Sequence, residues 1–311
     1  MKKVLFIRFS SLGDTILTTG VIRKASELLP DAEFHILTYE EFVPVWQNLP
    51  FVTKIHPVKR KTGIAAFTAF LRKMPDFDMI FDLHASIRSA IAGFVIKGRV
   101  IVYDKQPLCR RLFVKFRVCR NKLKFHTVQR YAAAVFPALG FQTPPLEELR
   151  PYIPAKNITD DNKIVLHPFA SKATKVWPYF AELARLLAAD NRRVYIVGNG
   201  DFPLIDGVER VKTPEISEMF DVISDAALVI TTDSGPMHAA VALNRKTVAV
   251  FGSATRELGF FPLFSGCEIV EKCNLPCRPC HVHGLSVCPK QNFNCMRMIG
   301  TQSVMKVIKG V

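Results

Sequence analysis

The chain is short of several features that would settle its class at once. No stretch of about 18 uncharged apolar residues occurs, so no membrane-spanning helix is expected. Neither half opens on G-x-G-x-x-G, and no P-loop lysine motif is present, which removes the main signals for a dinucleotide dehydrogenase and a P-loop nucleotidase. Short-period repeats and low-complexity tracts are also missing. The amino terminus, Met1-Lys2-Lys3, is followed by only four apolar residues before Arg8, too few for a signal-peptide core, so the stretch reads as a first strand and the chain as cytoplasmic. Acidic residues are scarce: 27 Asp and Glu stand against 42 Lys and Arg, a net charge of +15. Such a balance favours an acidic partner, whether nucleic acid, an anionic membrane or an acidic substrate. The excess is concentrated. Lys97, Arg99, Lys105, Arg110, Arg111, Lys115, Arg117, Arg120, Lys122, Lys124 and Arg130 face only Asp104 as counter-charge in that stretch. The pattern suits a solvated helix face or a binding surface; its one-sidedness favours the surface.

What is present is enough apolar residue, 49% of 311, for two domains of roughly 150 residues each. Strand signals at Val4–Phe9, Glu33–Thr38, Val52–Val58, Met79–Leu83 and Val100–Tyr103 alternate with helical periodicity at Thr15–Leu29, Gly63–Lys73 and Val128–Leu139. Residues 143–162 carry Pro144, Pro145, Pro151 and Pro154 among polar residues and read as a connection. The alternation then restarts: strands at Lys163–His167, Arg193–Gly198, Leu228–Thr232 and Lys246–Phe251, helices at Tyr179–Ala189 and Ser217–Ser224. Two runs of β-α alternation predict an α/β protein of two doubly wound domains facing across a cleft, 1–150 and 163–311, joined by a linker at 151–162.

The chemistry-bearing residues fall at strand ends, where ligands lie in such sheets. Ile230-Thr231-Thr232-Asp233-Ser234-Gly235-Pro236-Met237-His238 passes from a buried strand into a small-residue helix. Asp233 or Ser234 suits the helix cap, Gly235 a close approach of backbone to a ligand, and Pro236 the first turn. The motif is either an ordinary capped helix or an anion site built on a helix N-terminus. His238 is either a satisfied histidine or a phosphate donor. The loop from His167 to Pro178 holds Lys172, Thr174 and Lys175, and a lysine beside that helix end suits a departing diphosphate. In the first half, Ser10-Ser11-Leu12-Gly13-Asp14 follows the first strand; Asp14 reads as a helix cap or as a general base for an incoming hydroxyl. His84 to Arg88 ends the strand at Met79–Leu83. Cys277-x2-Cys280-x7-Cys288-x6-Cys295, with Cys273 just ahead, reads either as a tetrahedral structural zinc or iron site or as reduced cysteines packed as small hydrophobes. A distant reading joins net charge and cysteines in a nucleic-acid-binding protein, but the basic run lies far from the cysteines and aromatic interleaving is sparse.

Five motifs in order carry a family resemblance. Phe9-Ser10-Ser11-Leu12-Gly13-Asp14 before a helix, Asp82-Leu83-His84 with Arg88-Ser89, the helix within His126 to Gly140, Lys175-Trp177-Pro178 with Asp233-Ser234-Gly235-Pro236-His238, and the tail ending in Cys295-Met296 resemble the bacterial ADP-heptose:lipopolysaccharide heptosyltransferases. These are inverting glycosyltransferases of GT-B architecture, and the resemblance spans nearly the whole chain. It implies an acceptor-side domain at 1–150 and a nucleotide-sugar domain at 163–311 with a Cys-rich segment at 273–295. It implies Asp14 as general base in a turn shaped by Ser10, Ser11 and Gly13. Lys175 would join Asp14 in catalysis, and Lys172 and Thr174 on its loop, the run Asp233, Ser234, Gly235, Pro236, Met237 and His238, and Ser10, Ser11 and Gly13 would hold the donor. His84, Arg88, Arg110, Arg111 and Arg120 would meet the acidic acceptor, the lipopolysaccharide inner core. It further implies transfer without a metal, no nucleic-acid partner, and peripheral attachment to the cytoplasmic face of the inner membrane without an inserted anchor. Some relatives in the wider family modify secreted adhesins and carry an iron-binding cysteine cluster, so another nucleotide sugar or a protein (autotransporter) acceptor is the alternative. One departure bears on the nucleotide: Asn199 to Pro214 is shorter than the helical piece usual there, leaving Asp201 and Asp206 as alternatives for ribose contacts.

Overall fold

In the computed structural model, residues 2–158 and 160–310 are described; Met1, Thr159 and Val311, which the sequence reading places in the first strand's approach, the linker and the tail, lie outside them. The first strand, β1 (Lys3–Ile7), buries Val4, Leu5, Phe6 and Ile7 in succession. Consecutive rather than alternate burial marks a strand covered on both faces, as in a parallel sheet. The chain continues as α1 (Leu12–Leu28), β2 (Glu33–Tyr39), α2 (Val43–Trp46), β3 (Lys54–Val58), α3 (Ile64–Leu71), β4 (Met79–Asp82), α4 (Ile87–Val95), β5 (Arg99–Val102), α5 (Pro107–Phe116) and α6 (Thr127–Leu139). All the strands are parallel, in the order β3-β2-β1-β4-β5. The order reverses between β1 and β4, so the crevice of this sheet opens at the carboxyl ends of those two strands.

The second run is β6 (Lys163–His167), α7 (Phe180–Ala189), β7 (Arg193–Val197), β8 (Val208–Val211), α8 (Ile216–Ser224), β9 (Leu228–Thr232), α9 (Gly235–Ala242), β10 (Lys246–Phe251), β11 (Cys267–Glu271), α10 (Asn294–Arg297) and α11 (Thr301–Gly310). Its sheet is again parallel, ordered β11-β10-β9-β6-β7-β8, with the reversal between β6 and β9. The doubly wound α/β class expected from the alternation is present in both sheets.

The chain separates into two compact units, Met1–Lys105 with Thr127–Pro154, and Gln106–His126 with Ala155–Val311. The break at Pro154 falls in the proline-rich connection, but the basic segment 106–126 is not part of the first unit, where its place after β5 puts it in the sequence reading. Hydrophobic burial explains the difference. Phe113 of α5 and Leu123 are buried in a core with Met237, Ala249, Phe251, Ala254, Leu258 and Phe261 of the second unit. The few apolar residues of a highly charged segment therefore decide where it packs.

Other departures have local causes. α1 begins at Leu12 rather than Thr15, because Ser11 is its N-cap and accepts Thr15 N–H at its carbonyl, 2.8 Å. Asp14 thus lies inside the first turn and is not the cap. α4 is set by a Ser86–Ser89 capping box that the sequence reading passes over, although Gly93 and branched residues weaken its helical signal. β8 is a four-residue Val-Glu-Arg-Val strand hidden among Pro, Asp and Gly, inside the segment read as a short connection. α1 comes so close to the chain at Leu149 that a Cβ on Gly20 would stand 2.3 Å from the Leu149 carbonyl oxygen, which only glycine avoids.

One buried pair makes this unit acid-sensitive. His35 Nδ1 and His56 Nε2, on adjacent strands β2 and β3, lie 2.9 Å apart, flanked by Phe77 and Glu33. Burial holds the His56 pKa down to about 4, with His35 and Lys54 adding repulsion, and burial lowers His35 as well. A folded pKa below the unfolded 6.5 means the unfolded chain binds the extra protons, so the contribution is intact above about pH 6.5 and is lost as pH falls toward 4. Urea unfolding across that window should show stability falling on acidification, and His56→Gln should flatten the fall by roughly 1–3 kcal/mol relative to the parent. Parallel profiles for the two proteins would refute the assignment.

Candidate functional site

Each sheet carries its reactive residues at its reversal point. In the first unit, Asp14 projects from the opening turn of α1, just past β1, where a cis peptide joins Ser10 to Ser11. Its Oδ2 pairs with Arg8 Nη2 at 2.8 Å and accepts the Ser11 hydroxyl at 3.0 Å, and its Oδ1 accepts the Tyr131 hydroxyl of α6 at 3.1 Å. Arg8 is buried, donates to the Leu83 carbonyl and lies 5.7 Å from the Tyr131 ring centroid. Burial opposes its charge, yet Asp14, with Tyr131 and Tyr103, raises its pKa above the ordinary value. Every one of these partners complements a carboxylate, and 19% of the Asp14 side chain remains exposed, enough for a hydroxyl to reach it.

His84 follows β4. Asp82 Oδ1 accepts the His84 and Ala85 amides at 2.9 and 2.8 Å, an Asx turn that aims the ring toward Phe9, 5.6 Å between centroids. Burial and the nearby Arg8 and Lys105 cations push its pKa to about 4, so it is neutral at pH 7 and offers hydrogen bonding without charge. Lys105 Nζ donates to the His84 carbonyl at 3.4 Å. Arg88 lies over Phe67 at 4.3 Å and donates to the Thr62 carbonyl at 3.0 Å, so part of its donor capacity is used internally.

In the second unit the loop after β6 and the turn after β9 meet. Lys175 Nζ and Asp233 Oδ2 are 2.6 Å apart, with side chains 16% and 9% exposed. The Ser234 hydroxyl donates back to the Thr232 carbonyl at 3.2 Å, so no side chain caps α9. A helix whose N-cap side chain turns away suits an anion at its amino end. Met237 departs from a donor contact: its side chain is buried among Ala249 and Phe251. His238 is buried too, edge-on to Phe260 at 6.4 Å. Asp201 and Asp206 are both exposed.

The arginines read together as acceptor contacts are divided between the units. His84 and Arg88 are in the first; Arg110, Arg111 and Arg120 are in the second. Arg110 is buried over Phe260 at 5.3 Å, Arg111 is exposed, and Arg120 pairs with Glu257 at 2.7 Å.

Cys277, Cys280, Cys288 and Cys295 line one cavity of about 190 Å³ with Arg117 and Arg278. Burial pushes the Cys295 thiol up to about 11 and raises Cys280, whereas at Cys288 several main-chain hydrogen bonds outweigh burial and lower the thiol. Among the described residues no three His, Cys, Asp or Glu side chains converge on a point that would hold an ion. The segment also braces the lysine loop. Thr174 N–H donates to the Leu285 carbonyl at 3.1 Å, Leu285 N–H to Thr174 Oγ1 at 2.8 Å, and Trp177 Nε1–H to the Ile299 carbonyl at 2.7 Å. A Cβ on Gly284 would stand 3.2 Å from the Lys172, Lys175 and Thr174 side chains.

Sequence reasoning passes over Arg8, Tyr131 and Gly284. Arg8 alone has a local signal, a charge closing a buried apolar strand.

The Lys175–Asp233 pair yields a direct test. Removing one partner leaves the other charge desolvated, so Lys175→Ala should destabilise by about 2–4 kcal/mol, while Lys175→Ala with Asp233→Ala should cost less than the two single losses added. Additive losses in chemical denaturation would show the two residues do not act as a pair.

With this geometry in hand, the comparisons are specific. Residues 66–289 match the profile of glycosyltransferase family 9 (heptosyltransferase). Lipopolysaccharide heptosyltransferase 1 of Campylobacter coli is 24% identical over 81% of this chain and 84% of that protein. Among solved structures, E. coli heptosyltransferase WaaC with ADP aligns with a TM-score of 0.73 at 19% identity, covering 99% of each chain. E. coli ADP-heptose lps heptosyltransferase II gives 0.75 at 20% identity, covering 100% of this chain and 98% of that one. These structures share its fold. The protein belongs to glycosyltransferase family 9 (heptosyltransferase).

Proposed function

We propose that the protein transfers a heptose from ADP-heptose to the acidic inner core of lipopolysaccharide, inverting the anomeric centre, and that it works peripherally at the cytoplasmic face of the inner membrane. The observation that carries the reading is Asp14, a partly exposed carboxylate pinned by Arg8 and Tyr131 at the reversal point of the first sheet. The names of the relatives, all heptosyltransferases of lipopolysaccharide or lipooligosaccharide, support the sugar and the acceptor class.

In this reading Asp14 accepts the proton of the acceptor hydroxyl as its oxygen forms the bond to the anomeric carbon. The bond from that carbon to the diphosphate oxygen breaks with its electron pair, and ADP departs. Arg8 and Tyr131 position the carboxylate and hold it ready as a base. The growing negative charge on the diphosphate is met by the uncapped amino end of α9 and by Lys172. Asp233 cancels much of the charge of Lys175, so Lys175 serves as a directed hydrogen-bond donor held in place by Asp233 more than as a bare point charge. Neutral His84 and the Lys105 cation beside it suit the acceptor's hydroxyls and acidic groups.

Asp14→Asn tests the base directly. ADP binding by calorimetry should stay within about twofold of the parent, while transfer from ADP-heptose to a deacylated core acceptor should fall by about 10²–10⁴-fold. Turnover near the parental rate removes Asp14 from that role. The same calorimeter decides the nucleotide. ADP should bind better than UDP or GDP, and a preference for either of those keeps the fold and Asp14 but discards the sugar.

A further inference from the structure

The basic segment 106–126 carries, besides its charge, a set of large apolar side chains that the core does not take. Phe113 and Leu123 anchor it in the second unit, and Cys109 and Val114 pack partly against the same core. Outside that core Leu108, Phe116, Val118 and Phe125 are 49–66% exposed. They alternate with exposed Arg111, Lys115, Lys122 and Lys124, and no Asp or Glu occurs between Lys105 and Leu146. In α5 the exposed Leu108, Arg111 and Lys115 fall at i, i+3 and i+7, a single helical face turned away from the buried Phe113. The turn that follows is fixed by Arg117, which donates to the Phe113 and Val114 carbonyls and to the Pro276 carbonyl, and by Arg120 on Glu257. The Lys115 ammonium lies 5.0 Å from the Phe116 ring centroid, so charge and ring are presented together.

Exposed Leu, Val and Phe are unfavourable in water; a phosphate ligand would leave them there, and a saccharide stacked on the rings would still leave Leu108 and Val118. An anionic bilayer takes both kinds of side chain: cations stay at the headgroups and apolar groups enter the boundary with the acyl chains. We propose that this face of the 106–126 segment is a membrane-docking surface for anionic phospholipid, with Leu108, Phe116, Val118 and Phe125 as shallow anchors. The inserted side chains depart from the anchor-free attachment that the charge alone suggests. The inference rests on the peripheral part of the proposed function, but its test uses neither donor nor acceptor sugar, so the failure of one leaves the other standing.

The experiment is flotation of the full-length protein with vesicles of phosphatidylethanolamine and phosphatidylglycerol, against vesicles of phosphatidylcholine alone. The parent should bind the anionic vesicles and largely ignore the neutral ones. Each cation near such a surface is worth about fivefold in partitioning, so Lys115→Glu, Lys122→Glu and Lys124→Glu combined should lose at least about 100-fold. Phe116→Ser with Phe125→Ser should lose roughly tenfold without changing the charge. Unchanged ADP binding in both variants shows that the unit remains folded. Phe116→Trp and Phe125→Trp give the second readout: on anionic vesicles their emission should shift to the blue and be quenched by brominated acyl chains. Equal binding to both vesicle types, an unaffected Phe116→Ser/Phe125→Ser variant, or no quenching would overturn the proposal. So would salt-dependent binding to a duplex oligonucleotide by a parent that ignores vesicles, which would assign the surface to nucleic acid.

Discussion

A carboxylate at the mouth of a buried parallel sheet needs a cation buried with it, and much of the first unit follows from that need. β1 is apolar to Ile7, and the next residue is Arg8, which is 4% exposed and reaches Asp14 at 2.8 Å. A guanidinium so deep is tolerated only because the Leu83 carbonyl at the end of β4, the Asp14 carboxylate and the face of Tyr131 share its charge. The same arrangement fixes the start of α1 and ties α6 to the turn through the Tyr131 hydroxyl. Arg8 also adds, after burial, to the repulsion that keeps His84 neutral. The surroundings of the candidate base and the local packing are here one set of contacts, so weakening Arg8 affects Asp14 and the turn together.

The candidate anion site of the second unit rests on a helix that is nearly all small or apolar. α9 buries Pro236 through Ala242, and its Ala residues let it lie close to β9 and β10. Such a helix can present its amino end to a ligand because its flanks are held by the core. Ser234 leaves that end uncapped by turning its hydroxyl back to the Thr232 carbonyl. The neighbouring lysine loop has almost no regular structure of its own. It is positioned from outside, by Asp233 on one side and by Thr174, Trp177 and the close approach of Gly284 on the other. The Cys-rich segment thus acts on the loop through the Leu285 main chain, which exchanges hydrogen bonds with Thr174, while its thiols line a cavity that Thr174 also borders.

The doubly wound class was legible in the sequence because buried parallel strands leave uninterrupted apolar runs, and Val4-Leu5-Phe6-Ile7 and Leu228-Val229-Ile230 leave little other reading. The positions of Asp14, Lys175 and Asp233 were legible as well, since each closes a strand or its turn. The partners were not. Tyr131 lies 117 residues from Asp14, and no periodicity connects them. α5 was hidden by its own charge: cations on one face obscure the two or three apolar residues that bury it in the second unit. β8 and α4 were lost for a simpler reason, since four or nine residues with Gly, Asp or Pro nearby are too short a sample for a period to show.

The charge surplus of +15 is untouched by ion pairs inside the fold, because each pair removes one charge of either sign. Arg8 serves Asp14, Lys163 serves Asp225, Lys175 serves Asp233, and Arg278 serves Glu271 and the Ala254 carbonyl. Each of these pairs is wholly or partly desolvated and contributes nothing to the far field that an approaching ligand meets. In the 106–126 segment, by contrast, Arg111, Lys115, Lys122 and Lys124 are exposed over a stretch of chain with no acidic residue to cancel them. A field of one sign on a rigidly mounted helix attracts any polyanion at long range. What a surface then holds is decided at contact by its uncharged side chains. Phosphates give no return for exposed Phe116 and Phe125, and a sugar stacked on a ring leaves Leu108 and Val118 in water, whereas a lipid surface takes up all four. Charge brings the protein to an acidic surface, and the apolar residues between the charges select which kind.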